Sequence, residues 1–254
     1  GNTALEPESA DTFTLGLVYE PSFAEGLSLT LDYYDVEIDS AITQIPGSTK
    51  LSVCYNTPGR AHAFCSPEHF TRSSLSGDVN FLSAQPVNSG KETINGLDFG
   101  LRYDFELMNI PATFDWKTTI LNEYEISPFD GAEPIVLDGH IGGGNGGYSK
   151  QQTYLSMNVA GDRWTGNYAI QIIGEGDDFN EVSPAIGAHM DAVTYHYVQF
   201  AYDLRDNASI AIGIDNLWDK SAPYVASWTD GNTDTMTYDL IGRRGYARLT
   251  WRWE

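Results

Sequence analysis

From Gly96 to Phe105 the chain alternates without a slip. Leu97, Phe99, Leu101, Tyr103 and Phe105 fall on one face of a period-2 strand, and Gly96, Asp98, Gly100, Arg102 and Asp104 fall on the other. The same alternation runs through Phe13, Leu15, Leu17 and Tyr19, and again through Leu27, Leu29, Leu31 and Tyr33. Further strands are predicted at about 112–124, 151–160, 163–174, 193–204, 207–215 and 244–253, and amphipathic helices are hard to find. The pattern predicts an all-β, antiparallel chain of about nine strands. Short connections at about 22–25, 108–111, 161–162 and 206–207 alternate strictly with long ones at about 43–92, 125–150, 175–192 and 216–243.

That alternation separates the candidate architectures. A transmembrane β-barrel has short periplasmic turns at one rim and long extracellular loops at the other. A soluble sandwich has moderate loops at both ends. The last strand places Leu249, Trp251 and Trp253 on its apolar face and Arg248, Thr250 and Arg252 on its polar face. It descends from a long loop, which puts Trp251 and Trp253 at the periplasmic membrane interface. Tyr19, Tyr33, Trp164 and Tyr202 also stand near strand ends, as an interfacial aromatic belt requires. The competing reading is a soluble extracellular carbohydrate-binding β-sandwich, in which Leu97, Phe99 and Leu101 would pack against a second sheet. A small porin of about eight to ten strands fails on strand parity, because an odd antiparallel set does not close on itself.

One strand changes phase. After Tyr33 the apolar positions move to Val36 and Ile38. Either a bulge sits near Tyr34 and Asp35, or the strand runs on beyond the bilayer; the long connection that follows favours the second.

Composition narrows the chemistry. The chain holds 35 Asp+Glu against 14 Lys+Arg, a net charge of -21, which argues against nucleic acid as a partner. No apolar run is long enough for a membrane helix, a fact that leaves barrel strands open. The long connections collect acid at Glu175, Asp177, Asp178 and Glu181, then at Asp219, Asp230, Asp234 and Asp239. Glu175, Asp177 and Asp178 offer hard oxygen ligands for calcium but lack EF-hand spacing. The expectation is a solvated acidic loop, bridged through divalent cations to lipopolysaccharide, and no metal site is assigned.

Nothing in the sequence reads as catalytic, and neither an enzyme nor a cofactor is expected. His62, His69, His140, His189 and His196 show no metal-binding spacing. His69 beside Glu68 reads as a solvated pair. There is no GxSxG elbow. The glycine-rich stretch 142–147 lacks the Lys-Ser/Thr ending of a phosphate loop and reads as a flexible loop tip. Cys54 and Cys65 flank a turn-rich segment and read as a local disulfide, the alternative being two free thiols.

Several motifs then converge. Gly1, Asn2, Thr3, Ala4, Leu5, Glu6, Pro7 and Glu8, followed by a strand with Gly16, resemble the "GNxxLxPE" segment in the barrels of TonB-dependent outer-membrane receptors. The stretch from Gly26 to Asp32, Tyr33, Tyr34 and Asp35 resembles the family's next strand with its "DYY" run. Thr93 through Gly96 and Asp98 is similar to its "T-x-G-x-D" strand start. Asn216, Leu217, Trp218, Asp219 and Lys220 resemble the "NLFDK" element, with Trp218 in place of Phe. Gly242 and Arg243 match the closing "GR" pattern, and the Cys54/Cys65 loop resembles a disulfide loop found in part of the family. The family usually ends on an aromatic residue, whereas Glu254 follows Trp253 here.

The resemblance implies that residues 1–254 form the C-terminal portion of a larger, 22-stranded type of barrel, without its plug domain and N-terminal strands. It implies the outer membrane of a Gram-negative bacterium and uptake of a scarce nutrient: siderophore-iron, cobalamin or an oligosaccharide. Implied partners are TonB, through the missing N-terminal part, outer-membrane lipid and lipopolysaccharide, and the small nutrient ligand; the complete barrel would be monomeric. Asn2, Leu5, Pro7, Glu8, Gly96, Asp98, Asn216, Leu217, Trp218, Asp219, Gly242 and Arg243 would then be structural motif positions. Tyr124, Tyr148, Tyr224 and Trp228 are the candidate loop aromatics for stacking on a sugar ring or a siderophore aromatic, the alternatives being rim aromatics or packing of loop against loop.

Overall fold

The alternating segments are strands, and the connections between them carry most of the buried core. A computed structural model describes residues 2–142, 146–180, 184–227 and 231–253. Its strands are β1 (Ser9–Tyr19), β2 (Leu27–Thr43), β3 (Phe70–Arg72), β4 (Val79–Leu82), β5 (Val87–Leu107), β6 (Ile110–Ser127), β7 (Ile135–Val136) and β8 (His140–Ile141). They continue as β9 (Gln151–Ala160), β10 (Trp164–Ile173), β11 (Gly176–Asp178), β12 (His189–Met190), β13 (Val193–Arg205), β14 (Ala208–Asp215) and β15 (Arg244–Trp251). One helix, α1 (Gly47–Asn56), lies in the first long connection.

Nine strands follow one another across the main sheet in the order β1-β2-β5-β6-β9-β10-β13-β14-β15, with β7 added beside β6. Each neighbour on that path is the next long strand in sequence, and the ladders from β6 to β15 are antiparallel. The expected alternation of tight turns and long connections therefore holds throughout. The turn from β5 to β6 is the two residues Met108 and Asn109, both with positive φ (54° and 64°). That is the twist a two-residue hairpin needs to continue right-twisted strands.

β2 runs on unbroken through the change of phase after Tyr33. β2 runs for 17 residues, β5 for 21 and β6 for 18, whereas about 9–11 tilted residues cross a bilayer. The strand continues past the point where the pattern changes. Tyr33 Oη still donates to Asp35 Oδ2 at 3.0 Å, two residues along.

The two faces of the sheet differ in kind. On one, aromatic rings meet across neighbouring strands: Phe13 with Tyr33 at 6.2 Å, Phe99 with Trp116 at 5.0 Å and Trp164 with Phe200 at 6.0 Å. On the other, polar groups bond across strands: Thr119 Oγ1 donates to Asp98 at 2.6 Å, Asn167 to Asn158 at 2.7 Å and Tyr246 Oη to Gln199 at 2.8 Å. The apolar face is uncovered. Phe13 is 59% exposed, Leu17 62% and Leu249 67%, a continuous surface of the sort a water-soluble monomer does not tolerate. Leu97, Phe99 and Leu101, which a sandwich would bury, all remain partly exposed.

The chain divides into two compact units. One comprises Gly1–Thr12, Val36–Thr93 and Glu125–Ile135. It contains α1, the β3–β4 ribbon and a Cys54–Cys65 disulfide with an S–S length of 2.07 Å. Phe64 packs edge-on to Phe129 at 5.0 Å and to His69 at 5.2 Å. His69 therefore departs from the expected solvated pair with Glu68: burial in this aromatic nest pushes its pKa down. Lys50 is fully buried here, with Nζ donating to the Ser83 carbonyl at 2.9 Å, and burial lowers its pKa as well.

The other unit comprises Phe13–Asp35, Ile94–Tyr124 and Val136–Glu254. Its core lies where the long connections meet one end of the sheet. Ile141, Ile173, Met190, Val193, Tyr195, Val225 and Tyr238 form one buried cluster, drawn from three long connections and the adjoining ends of β10 and β13. A small sheet in the order β12-β11-β8 ties two of those connections together.

Candidate functional site in the long connections

The glycine-rich stretch expected to be a mobile tip is held at both of its described ends. Gly142 N–H donates to the Gly146 carbonyl at 3.1 Å, and Ile141 bridges to Gly147. A β-carbon on Gly147 would lie 2.2 Å from Asp234 Oδ2, so the hairpin is wedged against the last long connection. Gly143, Gly144 and Asn145 lie outside the described residues.

Two of the candidate ligand aromatics come together beside this hairpin. The rings of Tyr124 and Tyr148 meet edge to face at 4.9 Å. They are positioned by Asp138, whose Oδ1 accepts the Tyr124 N–H at 3.0 Å and whose Oδ2 pairs with Lys150 at 3.0 Å. Burial alone would raise the Asp138 pKa, but the Tyr124 N–H and the Lys150 ammonium outweigh it and hold it below the usual carboxylate value. A group depressed in this way stabilises the fold above its unfolded pKa, and that contribution is lost as pH falls through the folded one. Protection of the Tyr124 amide, its exchange rate relative to an unstructured peptide at the same pH, should therefore hold at neutral pH and fall as pH drops below about 4. Asp138→Asn should lower that protection at neutral pH and remove its pH dependence. An unchanged rate in that variant would remove the assignment.

Tyr148 also lines a cleft of 280 Å³ with Gly146, Gly147, Gln152, Gln171, Ile173, Met236 and Thr237. Gln171 and Ile173 share one face of β10 with Asn167, and Ile173 pairs with Gln152 and Asn167 with Asn158. The cleft floor is thus the polar face of the sheet, and Gln171 Oε1 accepts the Tyr197 hydroxyl at 2.9 Å. Tyr224 does not join this group. It stands half-exposed beside Gly187 and lines a second cleft of 410 Å³ with Ser221, Asn232 and Thr233. Trp228 lies outside the described residues.

The acidic connections are more ordered than expected. Asp178 is buried at 3% exposure, accepting the Asn180 N–H at Oδ1 and the Ser227 N–H at Oδ2, both at 2.8 Å. It ties the third long connection to the fourth and is not a solvated acid. Asp177 meets His189 Nδ1 at 2.7 Å, which raises the histidine pKa. Asp234 is fully buried, accepting the Met236 N–H at 2.9 Å and the Thr237 hydroxyl. No group of three His, Cys, Asp or Glu suited to a metal ion occurs among the described residues. Glu181 and Asp230 lie outside them.

The motif residues occupy the roots of these connections. Asn2 Nδ2 donates to the Pro86 carbonyl at 3.0 Å, and Glu8 Oε1 accepts the Ile42 N–H at 2.6 Å. Gly96 passes under the Tyr34 ring, where a β-carbon would sit 2.5 Å from both Tyr34 Oη and the Ile120 carbonyl. Asn216 (φ 51°) is buried and closes a turn on Lys220 through both ends of its amide, each at 2.8 Å. Asp219 Oδ1 accepts the Arg243 N–H at 2.8 Å, and Gly242 (φ 75°) packs against that carboxylate. The two motifs bracketing the last connection are thus joined to each other. Leu5, Pro7 and Leu217 lie beside these bonded residues in the chain, and Trp218 presents its ring to His196 at 6.3 Å. Trp251 and Trp253 stand 6.1 Å apart at the exposed end of β15.

Gln152, Gln171, Asp178 and Asp234 carry no motif of their own. Only the ends of the polar stripe on β9 and β10, next to a long connection, mark the two glutamines.

This architecture has known relatives. The family model described as "TonB dependent receptor-like, beta-barrel" matches residues 1–217, and the chain belongs to that family. A variant of the ferric enterobactin receptor PfeA from Pseudomonas aeruginosa superposes with a TM-score of 0.67 at 17% identity, covering 99% of this chain and 32% of that one. The siderophore receptor PirA from Acinetobacter baumannii gives 0.62 at 16%, again over 99% and 32%. The copper transporter OprC gives 0.54 at 12%, over 97% and 32%. The chain therefore spans about a third of the length of these structures. No curated protein matches it.

Proposed function

We propose that this chain is the C-terminal portion of a TonB-dependent outer-membrane receptor barrel, and that the whole protein imports a scarce nutrient. The observation that carries this reading is the sheet itself. One face is an uncovered apolar surface, the other is a hydrogen-bonded polar surface, and ordered connections fold over the polar one. In lipid such a wall satisfies its backbone between strands and presents hydrocarbon outward. Trp251 and Trp253 then anchor its lower edge at the periplasmic interface. The chemistry is transport, without catalysis or a resident cofactor.

The cleft beside Tyr148, with Tyr124 behind it, is where a ligand would first meet fixed groups; Tyr224 serves a separate cleft, and Trp228 completes the set of candidate aromatics. A glutamine floor with one aromatic wall suits a neutral or weakly charged organic ligand. TonB would act through parts of the protein outside this chain, and outer-membrane lipid and lipopolysaccharide would surround it. The test is uptake by cells in which this gene is deleted or restored, with labelled ferric siderophores, cobalamin and oligosaccharides. Restored, TonB-dependent uptake of at least one labelled solute is the expected result. Recovery of the protein from the soluble periplasm would refute the reading.

A further inference from the structure

The first long connection carries the opposite charge balance from the rest of the chain. Residues 44–86 hold Lys50, Arg60 and Arg72 against Glu68 and Asp78. The third, by contrast, holds Glu175, Asp177, Asp178, Glu181 and Asp191 with no Lys or Arg. The second and fourth also carry an acidic excess.

The two arginines converge on one ring. The guanidinium carbon of Arg60 lies 4.6 Å from the Tyr55 ring centroid and that of Arg72 lies 5.3 Å from it. Phe70 backs the same ring at 6.4 Å. Arg72 is anchored, donating from Nε to Tyr55 Oη at 2.8 Å and from Nη1 to the Gly77 carbonyl at 2.6 Å. Arg60 is held differently. Its backbone sits in a tight turn, with φ of 67° at Gly59 and 52° at Arg60, and its N–H bonds the Thr57 carbonyl at 3.0 Å. The Cys54–Cys65 disulfide closes the segment that bears it. Among the described residues, neither arginine pairs with a carboxylate. Among the described residues Arg60 reaches the aromatic face alone, which leaves its donor fork unspent.

From this arrangement we infer that Arg60, Arg72 and Tyr55 form a recognition site for a phosphate monoester. A planar guanidinium fork matches two phosphate oxygens at once, and a second guanidinium takes the remaining charge. The choice of phosphate over a single carboxylate follows from the two guanidinium groups on one ring: one fork fills both oxygens of a carboxylate, whereas a phosphate monoester keeps a third oxygen, and a second charge, for the other arginine. The phosphate would come either from a glycolipid headgroup of the surrounding leaflet or from a free sugar phosphate. The site does not depend on import, so a failure of the uptake reading leaves it standing.

The test uses the full-length receptor in detergent, with glucose 1-phosphate as soluble probe and gluconate as the carboxylate control. Expected is saturable binding of glucose 1-phosphate that weakens with added salt, at least tenfold weaker binding to Arg60→Ala, and little recovery in Arg60→Lys. Tyr55→Leu should lose about threefold, the contribution of an exposed cation–π contact. Nanodiscs containing lipid A form the second arm: slower hydrogen exchange over residues 55–72 in lipid A discs, absent from discs of zwitterionic lipid, assigns the ligand to the membrane. Protection by glucose 1-phosphate alone assigns it to a soluble ligand. Equal binding by wild type and Arg60→Ala, or equal binding of gluconate and glucose 1-phosphate, overturns the proposal. Arg60→Gln repeats the measurement should Arg60→Ala fail to fold.

Discussion

Arginine at position 99 should nearly abolish assembly of the barrel in a bilayer, while arginine at position 158 should leave it intact. Phe99 lies on the uncovered apolar face with its ring against Trp116. Asn158 lies on the polar face, where its side chain accepts from Asn167. A charge facing hydrocarbon costs about 2–4 kcal/mol at the bilayer midplane, and loss of the ring pair adds about 1 kcal/mol. On the opposite face the same guanidinium stays in water. Refolding the full-length protein into liposomes and following its heat-dependent gel mobility reads both variants directly. Equal assembly yields would mean that the Phe99 face does not meet lipid.

The second large effect is expected at Asn216. Its side chain closes the turn to Lys220 with two hydrogen bonds while its own backbone stays left-handed, a conformation asparagine tolerates better than alanine. Each lost bond costs about 1 kcal/mol, and the strained backbone adds to this. Asn216→Ala should therefore open the connection by about 2–3 kcal/mol, raising its rate of proteolysis by a factor on the order of 30–160 under conditions where cleavage follows local opening. Asp219→Ala breaks the neighbouring tie to Arg243 and should add little in the double variant, because the two act on one loop root. Full additivity would mean that the two ends of the connection open separately.

Much of this fold is legible in the sequence because it rests on local rules. Leu97 to Phe105 can alternate only as a strand with two unlike faces, and the spacing of Met108 and Asn109 leaves room only for a tight turn. The parity of the connections follows directly from where the alternation stops. What escapes such a reading depends on groups brought together across long stretches of chain. Asp178 looks like one more solvated acid until Ser227, 49 residues away, donates its N–H to it. Gly147 looks free until Asp234 is seen against it. The cleft beside Tyr148 has the same origin: its floor comes from β9 and β10 and one wall from the last connection. The motif residues were recognisable as a set, but the bond between Asp219 and Arg243 that joins two of those motifs is visible only in three dimensions.

The placement of the buried cluster, where the long connections meet the ends of β10 and β13, sets two standards of tolerance in one chain. On the proposed reading the exposed Leu15 and Ile212 face fluid hydrocarbon, where lipid fills whatever space a substitution leaves, so one aliphatic serves nearly as well as another. Ile141 and Met190 are enclosed by protein, and a methylene removed there leaves a void that nothing refills. Aliphatic drift should therefore accumulate on the wall, while the caps over its polar face keep their shapes atom by atom.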